Sequence, residues 1–113
     1  MKLSVIGPKD VKILHNCIHQ GVHHIAVSSV ESKDDINYVK RVLSSKGQQI
    51  KVLAKIQSKK ALENIEEILK VSDGIIIARG YLGLSIDFED VVYVQKHIIK
   101  KCNIVGKPVM LST

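Results

Sequence analysis

The sequence is poor in the residues that nucleic-acid binding requires. It contains no tryptophan, one phenylalanine and three tyrosines, and Arg41 and Arg79 are its only arginines. Nucleic-acid-binding proteins concentrate arginine and lysine on one face, with aromatic rings placed to stack on bases. Here the lysines that dominate the formal charge of +6 are spread through every segment. The composition therefore predicts no nucleic-acid partner and leaves attraction for small anions open.

Cysteine and long apolar runs are also scarce. Cys17 and Cys102 lie in helical patterns without a motif partner, so we expect no disulfide. No apolar run approaches the about 18 residues of a membrane span, and the first ten residues lack the pattern of a signal peptide. We expect a cytoplasmic protein without membrane contact, or a plastid protein whose targeting segment precedes this chain.

Two residue periods alternate along the chain. Short, β-branched apolar segments at 23–29, 50–56, 74–78 and 107–113 are typical of buried strands. Amphipathic helical patterns occupy 7–21, the stretch from a Ser32 cap to Gly47, 59–74, and the stretch from an Asp87 cap to Gly106. Such alternation predicts a parallel sheet with helical crossovers.

The length of these units favours a barrel. Each strand and helix together take about 25 to 30 residues, and a complete (β/α)₈ barrel has about 250, whereas this chain has 113. We predict an α/β fold that is a partial (half) TIM (β/α)₈ barrel, with about four parallel strands alternating with helices over residues 1–113.

Chemistry in such folds collects beyond the carboxyl ends of the strands. Within 50–56, strand alternation places Leu53, Lys55 and Gln57 on one face. A lysine there either faces a polar mouth with an anion or acidic partner, or extends to solvent. The full set of strand-end candidates is Ser28, Ser29, Lys55, Gln57, Arg79, Gly80, Tyr81, Ser112 and Thr113.

The segment RGYLGLS, which follows the apolar run 74–78, contains Gly80 and Gly83 and no proline. Its backbone amides are free to point at an anion from a loop or helix start. A single Gly-x-x-Gly is also compatible with an ordinary connection between strand and helix.

These residues resemble pyruvate kinase. The resemblance rests on AKIQSKKALENIEEILKVSDGIIIARGYLGLSI and VQKHIIKKCNIVGKPVMLST, with SDGIIIARG and GKPV in the family's register. It extends back through GPKDVKIL, AVSSVES and VKRVLSSKGQQIKVL and so covers nearly the whole chain. The resemblance implies that residues 1–113 are a fragment of a pyruvate kinase catalytic barrel domain.

The resemblance also implies roles for single residues. Lys55 matches the lysine that stabilises charge on the phosphoryl group moving between phosphoenolpyruvate and ADP. Gly80 and Tyr81 match the amides that hold the substrate carboxylate. Thr113 matches the threonine near the enolate carbon that gains a proton. The family further implies Mg²⁺ and K⁺ as cofactors, and a homo-oligomer for the full-length protein.

The chain departs from the family at the metal. The family's glutamate and aspartate ligands fall at Gln57 and Tyr81. Mg²⁺ seeks anionic oxygen, and a neutral phenol is a poor ligand for it. We therefore assign no metal ligand to this chain and expect that it does not hold Mg²⁺ in the family's way.

Three functions follow from this comparison. The chain is a segment of a working pyruvate kinase, which interconverts phosphoenolpyruvate and ADP with pyruvate and ATP in glycolysis, with the fragment itself inactive. Alternatively, it belongs to a non-catalytic relative that binds a metabolite anion or acts as a regulatory subunit. As a third possibility, it supplies only a structural surface.

Overall fold

A computed structural model describes residues 3–6, 23–45 and 50–112. The helix predicted at 7–21 and the candidate Thr113 lie outside these ranges. Five strands form one parallel sheet in chain order. They are β1 (Leu3–Ile6), β2 (His24–Val27), β3 (Lys51–Ile56), β4 (Gly74–Ala78) and β5 (Val109–Ser112). The four predicted strands are present, with β1 as an additional strand beside β2, and the predicted half barrel is confirmed.

Helices follow the strands. They are α1 (Lys33–Ser45), α2 (Lys59–Glu63), α3 (Ile65–Val71), the single-turn α4 (Arg79–Leu82) and α5 (Phe88–Val105). In the part of the chain that is described, no helix has the length and apolar character needed to cross a membrane.

The two faces of the sheet have different surroundings. The main core lies between the sheet and the helices, and Val52, Ala54 and Ile56 of β3 belong to it. On the opposite face, Ala26, Leu53 and Ile76 form a small separate cluster. This second face corresponds to the interior of a barrel. The alternation predicted for β3 is therefore confirmed for its apolar residues.

The helical pattern at 59–74 forms two helices instead of the single one expected. Asn64 interrupts it with φ −108° and ψ 19°. Its side-chain amide donates a hydrogen bond of 2.8 Å to the Glu31 carbonyl oxygen. Asparagine has weak helix propensity because its side chain competes for backbone partners. The break thus lets the helix layer hold the loop that follows β2.

Helix α5 begins and ends at the residues that the sequence predicts, but the predicted capping hydrogen bond at its N-terminus is absent. Gly106 ends the helix in the left-handed region, with φ 72°, where glycine is favoured. Asp87 occupies the N-cap position, but its side chain makes no capping hydrogen bond. The cap predicted at Asp87 is therefore correct in position and wrong in its bonding. The Ser32 cap of α1 stays a prediction.

The Ser-Asp-Gly sequence leads into β4, and each of its three residues has a structural role there. The buried Ser72 hydroxyl donates to the Ile68 carbonyl at 2.7 Å, which closes the end of α3. The Asp73 carboxylate accepts from the Val52 amide at 2.8 Å, which ties the start of β4 to β3. At Gly74, a Cβ would lie 2.7 Å from Leu53 Cδ2 and 3.0 Å from the Pro108 oxygen. Only glycine fits there without displacing the backbone of the neighbouring strand connection.

We expect Gly74→Ala to lower the free energy of unfolding by about 1–3 kcal/mol, because overpacking forces side chains and backbone apart. The matched control is Gly83→Ala, whose Cβ would lie 3.4 Å from the nearest backbone oxygen, an ordinary contact. We expect the control to change stability by no more than about 0.5 kcal/mol. Urea unfolding of the two variants checks this, and equal stabilities would contradict the close approach at Gly74.

Candidate functional site

Strand β3 carries two polar side chains to the carboxyl end of the sheet. Lys55 is half-buried and pairs in register with Ile76 of β4. Gln57 follows the last residue of the strand and is also half-buried. Because residues two apart share a strand face, both belong to the side of the sheet that carries Leu53. An ammonium and an amide therefore stand together at the mouth of the half barrel.

Tyr81 lies beside this pair on α4, directly after β4. The residue is 54% exposed, and the Lys55 Nζ lies 6.0 Å from its ring centroid. This distance is at the limit of a cation–π interaction. The ion pairs found in 23–45 and 50–112, Lys40 with Asp73 and Lys101 with Glu66, do not include Lys55. Within those ranges, the nearest recorded partner of the ammonium is thus an aromatic ring instead of a carboxylate.

The orientation of the Gln57 amide is set by Ser29. The Ser29 backbone N–H donates a hydrogen bond of 2.6 Å to the Gln57 Oε1. Ser29 has φ 56°, the left-handed region that is strained for residues with a Cβ. This backbone turn is what directs its N–H toward the end of the neighbouring strand β3.

The loop at 28–32 is held from several sides. The Asp35 carboxylate accepts from the amides of Glu31 at 2.8 Å and Ser32 at 3.3 Å. Asn64 donates to the Glu31 carbonyl, as described above, and Glu67 accepts from the Lys33 amide at 3.3 Å. Two helices thus help to hold the wall of the mouth in one position.

A cleft of about 240 Å³ opens at this place, lined by Ser29, Glu31, Gln57, Ser58 and Tyr81. The Ser58 hydroxyl accepts from the Ala61 amide at 3.2 Å and so caps α2. Glu31 brings a carboxylate to the rim. Lys55 does not line the cleft, but its Nζ lies 6.0 Å from the ring centroid of Tyr81, which does.

A larger cleft of about 420 Å³ lies between α4 and α5. Phe88, Val91 and Val92 give it largely apolar walls, and neither Lys55 nor Gln57 lines it. Arg79 and Gly80, two of the strand-end candidates, also line this larger cleft, so the candidates are divided between the two clefts.

The groups with perturbed acidity lie on the helix layer, away from the mouth. The hydrogen bond from Lys101 holds the pKa of Glu66 below its ordinary value. Burial raises the pKa of the Cys102 thiol, which is free. Cys17 lies outside the described residues.

Comparison with known proteins identifies the fold's family. The family model described as "Pyruvate kinase, barrel domain" matches residues 1–113. This chain belongs to the pyruvate kinase family. The pyruvate kinase of Eimeria tenella is 47% identical over 112 residues, which are 98% of this chain and 21% of that protein. Pyruvate kinase 2 of Saccharomyces cerevisiae is 40% identical over 98% of this chain and 22% of its own length.

The pyruvate kinase of Dictyostelium discoideum is 38% identical over 113 residues, covering 100% of this chain and 22% of that protein. The chain thus spans about 21–22% of the length of these curated relatives. It is a pyruvate kinase fragment, as the sequence predicted.

The structure brings three of the four predicted pyruvate kinase site residues to one edge of the sheet. Lys55 is the penultimate residue of β3, and Gly80 and Tyr81 follow β4 in α4. Thr113 lies outside the described residues, next to Ser112 at the end of β5. Their catalytic and substrate-binding roles stay predictions. Two features were missed: the bond between Ser29 and Gln57, and Glu31 at the rim of the cleft. The sequence signal that could have indicated both features is the position of these residues just after adjacent strands.

The residues present do not fit the Mg²⁺ that the pyruvate kinase family implies. Mg²⁺ requires an octahedron of oxygen ligands, usually with one or two protein carboxylates. One lone pair of the Gln57 oxygen already accepts the Ser29 N–H, and Tyr81 offers only a phenol. Among the residues described, no three histidine, cysteine, aspartate or glutamate side chains are grouped to hold a metal ion.

Substitutions at Ser29 test the loop geometry of this site. Ser29→Val is expected to cost about 1–2 kcal/mol of stability, because a β-branched side chain clashes in the left-handed region. Ser29→Gly relieves the same strain and keeps the backbone N–H, so its stability should equal or exceed that of the unmodified chain. Urea unfolding measures both. Indistinguishable stabilities would mean that Ser29 does not adopt a positive φ.

Proposed function

We propose that this chain forms part of the ligand-binding mouth of a pyruvate kinase-like protein. Membership of the pyruvate kinase family and the position of Lys55 at the carboxyl end of a barrel strand support the proposal. In the family's reaction, the bond between the phosphoryl group and the enolate oxygen of phosphoenolpyruvate breaks. A new bond forms to a β-phosphate oxygen of ADP, and the enolate carbon gains a proton to give pyruvate.

Each predicted site residue has a defined part in this proposal. The Lys55 ammonium offsets negative charge on the phosphoryl group as it moves. The backbone amides of Gly80 and Tyr81 hold the substrate carboxylate. Thr113 lies near the carbon that receives the proton. In this proposal the 113 residues alone do not catalyse the reaction, because they span only about a fifth of the length of the pyruvate kinases that they match.

A second function is favoured by the metal positions. Gln57 and Tyr81 leave the mouth without the two carboxylates that would hold a divalent cation. In a non-catalytic relative, Lys55 would bind a metabolite anion, and the intact protein would act as a regulatory or structural subunit. The state of the metal site decides between the two functions.

For the intact protein we propose the setting that is typical of the family. We place it in the cytoplasm, where glycolysis runs, as an assembly of identical subunits that uses K⁺. The composition argues against a nucleic-acid partner, since the lysines are dispersed and aromatic residues are few.

A Mn²⁺ titration of the intact protein, followed by electron paramagnetic resonance of the free ion, tests the metal site. We expect weak binding by the unmodified protein. The double variant Gln57→Glu, Tyr81→Asp restores two anionic ligands and should bind Mn²⁺ at least about tenfold more tightly, equivalent to 1.4 kcal/mol.

The control is Glu89→Gln, which changes an exposed charge on α5 and should leave Mn²⁺ affinity unchanged. Tight Mn²⁺ binding by the unmodified protein, together with turnover of phosphoenolpyruvate, would favour the working enzyme over the non-catalytic relative. It would also show that other ligands complete the metal site.

A further inference from the structure

The backbone N–H of Ser29 determines which polar atom of the Gln57 side chain is free to face the mouth. The Ser29 N–H can only donate, so the Gln57 atom that it meets at 2.6 Å must be the carbonyl oxygen. The remaining polar atom of Gln57 is its amide nitrogen, which carries two N–H donors. No hydrogen bond of this nitrogen is found within 23–45 and 50–112. It is also not among the buried polar atoms that lack a partner, so it is accessible. It therefore remains available to a ligand or solvent.

The second polar group of the same strand face is also a donor. The Lys55 ammonium carries three N–H groups and no acceptor. It makes no ion pair with a carboxylate in the described ranges, and its recorded neighbour is the face of Tyr81. The two side chains thus offer a positive charge and N–H donors, whereas a divalent cation would require anionic oxygens.

We infer that the mouth binds a small carboxylate anion directly, on the Lys55 ammonium and the Gln57 amide N–H₂, without a divalent cation. Charge-assisted hydrogen bonds of this kind are stronger than those between neutral groups. The inference rests on the proposed function to the extent that the mouth is a ligand site. The inference goes further because it assigns to N–H groups of Lys55 and Gln57 the contact with the anion that a divalent cation would otherwise make.

Glu31 opposes such an anion. Its carboxylate lies at the rim of the same cleft, and its side chain is exposed. Solvent weakens the repulsion from an exposed charge. The backbone of Glu31 is held independently of its side chain by Asp35 and Asn64. Removing the charge should therefore strengthen anion binding without moving the loop.

Isothermal titration of the intact protein with oxalate, once with EDTA and once with excess Mg²⁺, tests the inference. We expect the two dissociation constants to agree within about twofold. Lys55→Met should weaken binding by at least about tenfold, because it removes the only charge that attracts the anion within the pair. Lys96→Met is the matched control, since Lys96 is exposed on α5 and should not affect affinity. Circular dichroism verifies that each variant is folded.

Gln57→Glu gives the sharpest contrast. A glutamate oxygen can still accept the Ser29 N–H, so the loop is retained, but the two N–H donors become an anionic oxygen. This variant should lose oxalate binding in EDTA and regain it with Mg²⁺. Glu31→Gln should tighten binding in EDTA by about twofold to fivefold.

The possible results separate this inference from the proposed function. Oxalate binding that is at least tenfold tighter with Mg²⁺ in the unmodified protein would overturn direct recognition and leave the ligand site in place. Metal-independent binding that Lys55→Met and Gln57→Glu do not weaken would overturn the assignment to these residues. No oxalate binding under either condition would overturn both the inference and the proposal of a ligand-binding mouth.

Discussion

The parallel pairing of β3 with β2 and β4 is the constraint on which the site depends. Val27 pairs with Ala54, and Lys55 pairs with Ile76. In this register Val52, Ala54 and Ile56 enter the main core, while Lys55 faces the interior side of the half barrel. A slip of one residue would exchange the two faces and bury the ammonium among aliphatic side chains. The position of the cation is thus stabilised by the same apolar contacts that stabilise the sheet.

The mouth is held in position by the helix layer as well as by the sheet. Asn64 breaks the helical pattern and binds the Glu31 carbonyl, while Asp35 of α1 accepts two amides of the same loop. These bonds support the unusual backbone of Ser29, whose N–H orients Gln57. The break in the helix at Asn64 therefore contributes to the geometry at the strand ends.

The local pattern of apolar residues was sufficient to predict the elements whose residues are all buried. The run 74–78 is apolar throughout, and it forms β4 with every residue buried. The face of β3 that carries Lys55 followed from alternation alone. The Asn64 break and the Ser29–Gln57 bond could not be predicted in the same way. Each joins a side chain to backbone about 30 residues away, so it depends on the register of strands and helices that the local pattern does not contain.

The family relationship establishes the origin of this architecture, and the side chains at the mouth establish how it differs. Lys55 lies at the end of β3, and the resemblance to pyruvate kinase implies that Gln57 and Tyr81 stand where the family has two metal ligands. The most direct test is a crystal structure of the intact protein soaked with Mn²⁺ and oxalate, measured with anomalous scattering. The account predicts oxalate density at the Lys55 Nζ and Gln57 Nε2, with no anomalous peak in the cleft. An anomalous peak coordinated by the Gln57 Oε1 and by oxalate would contradict it.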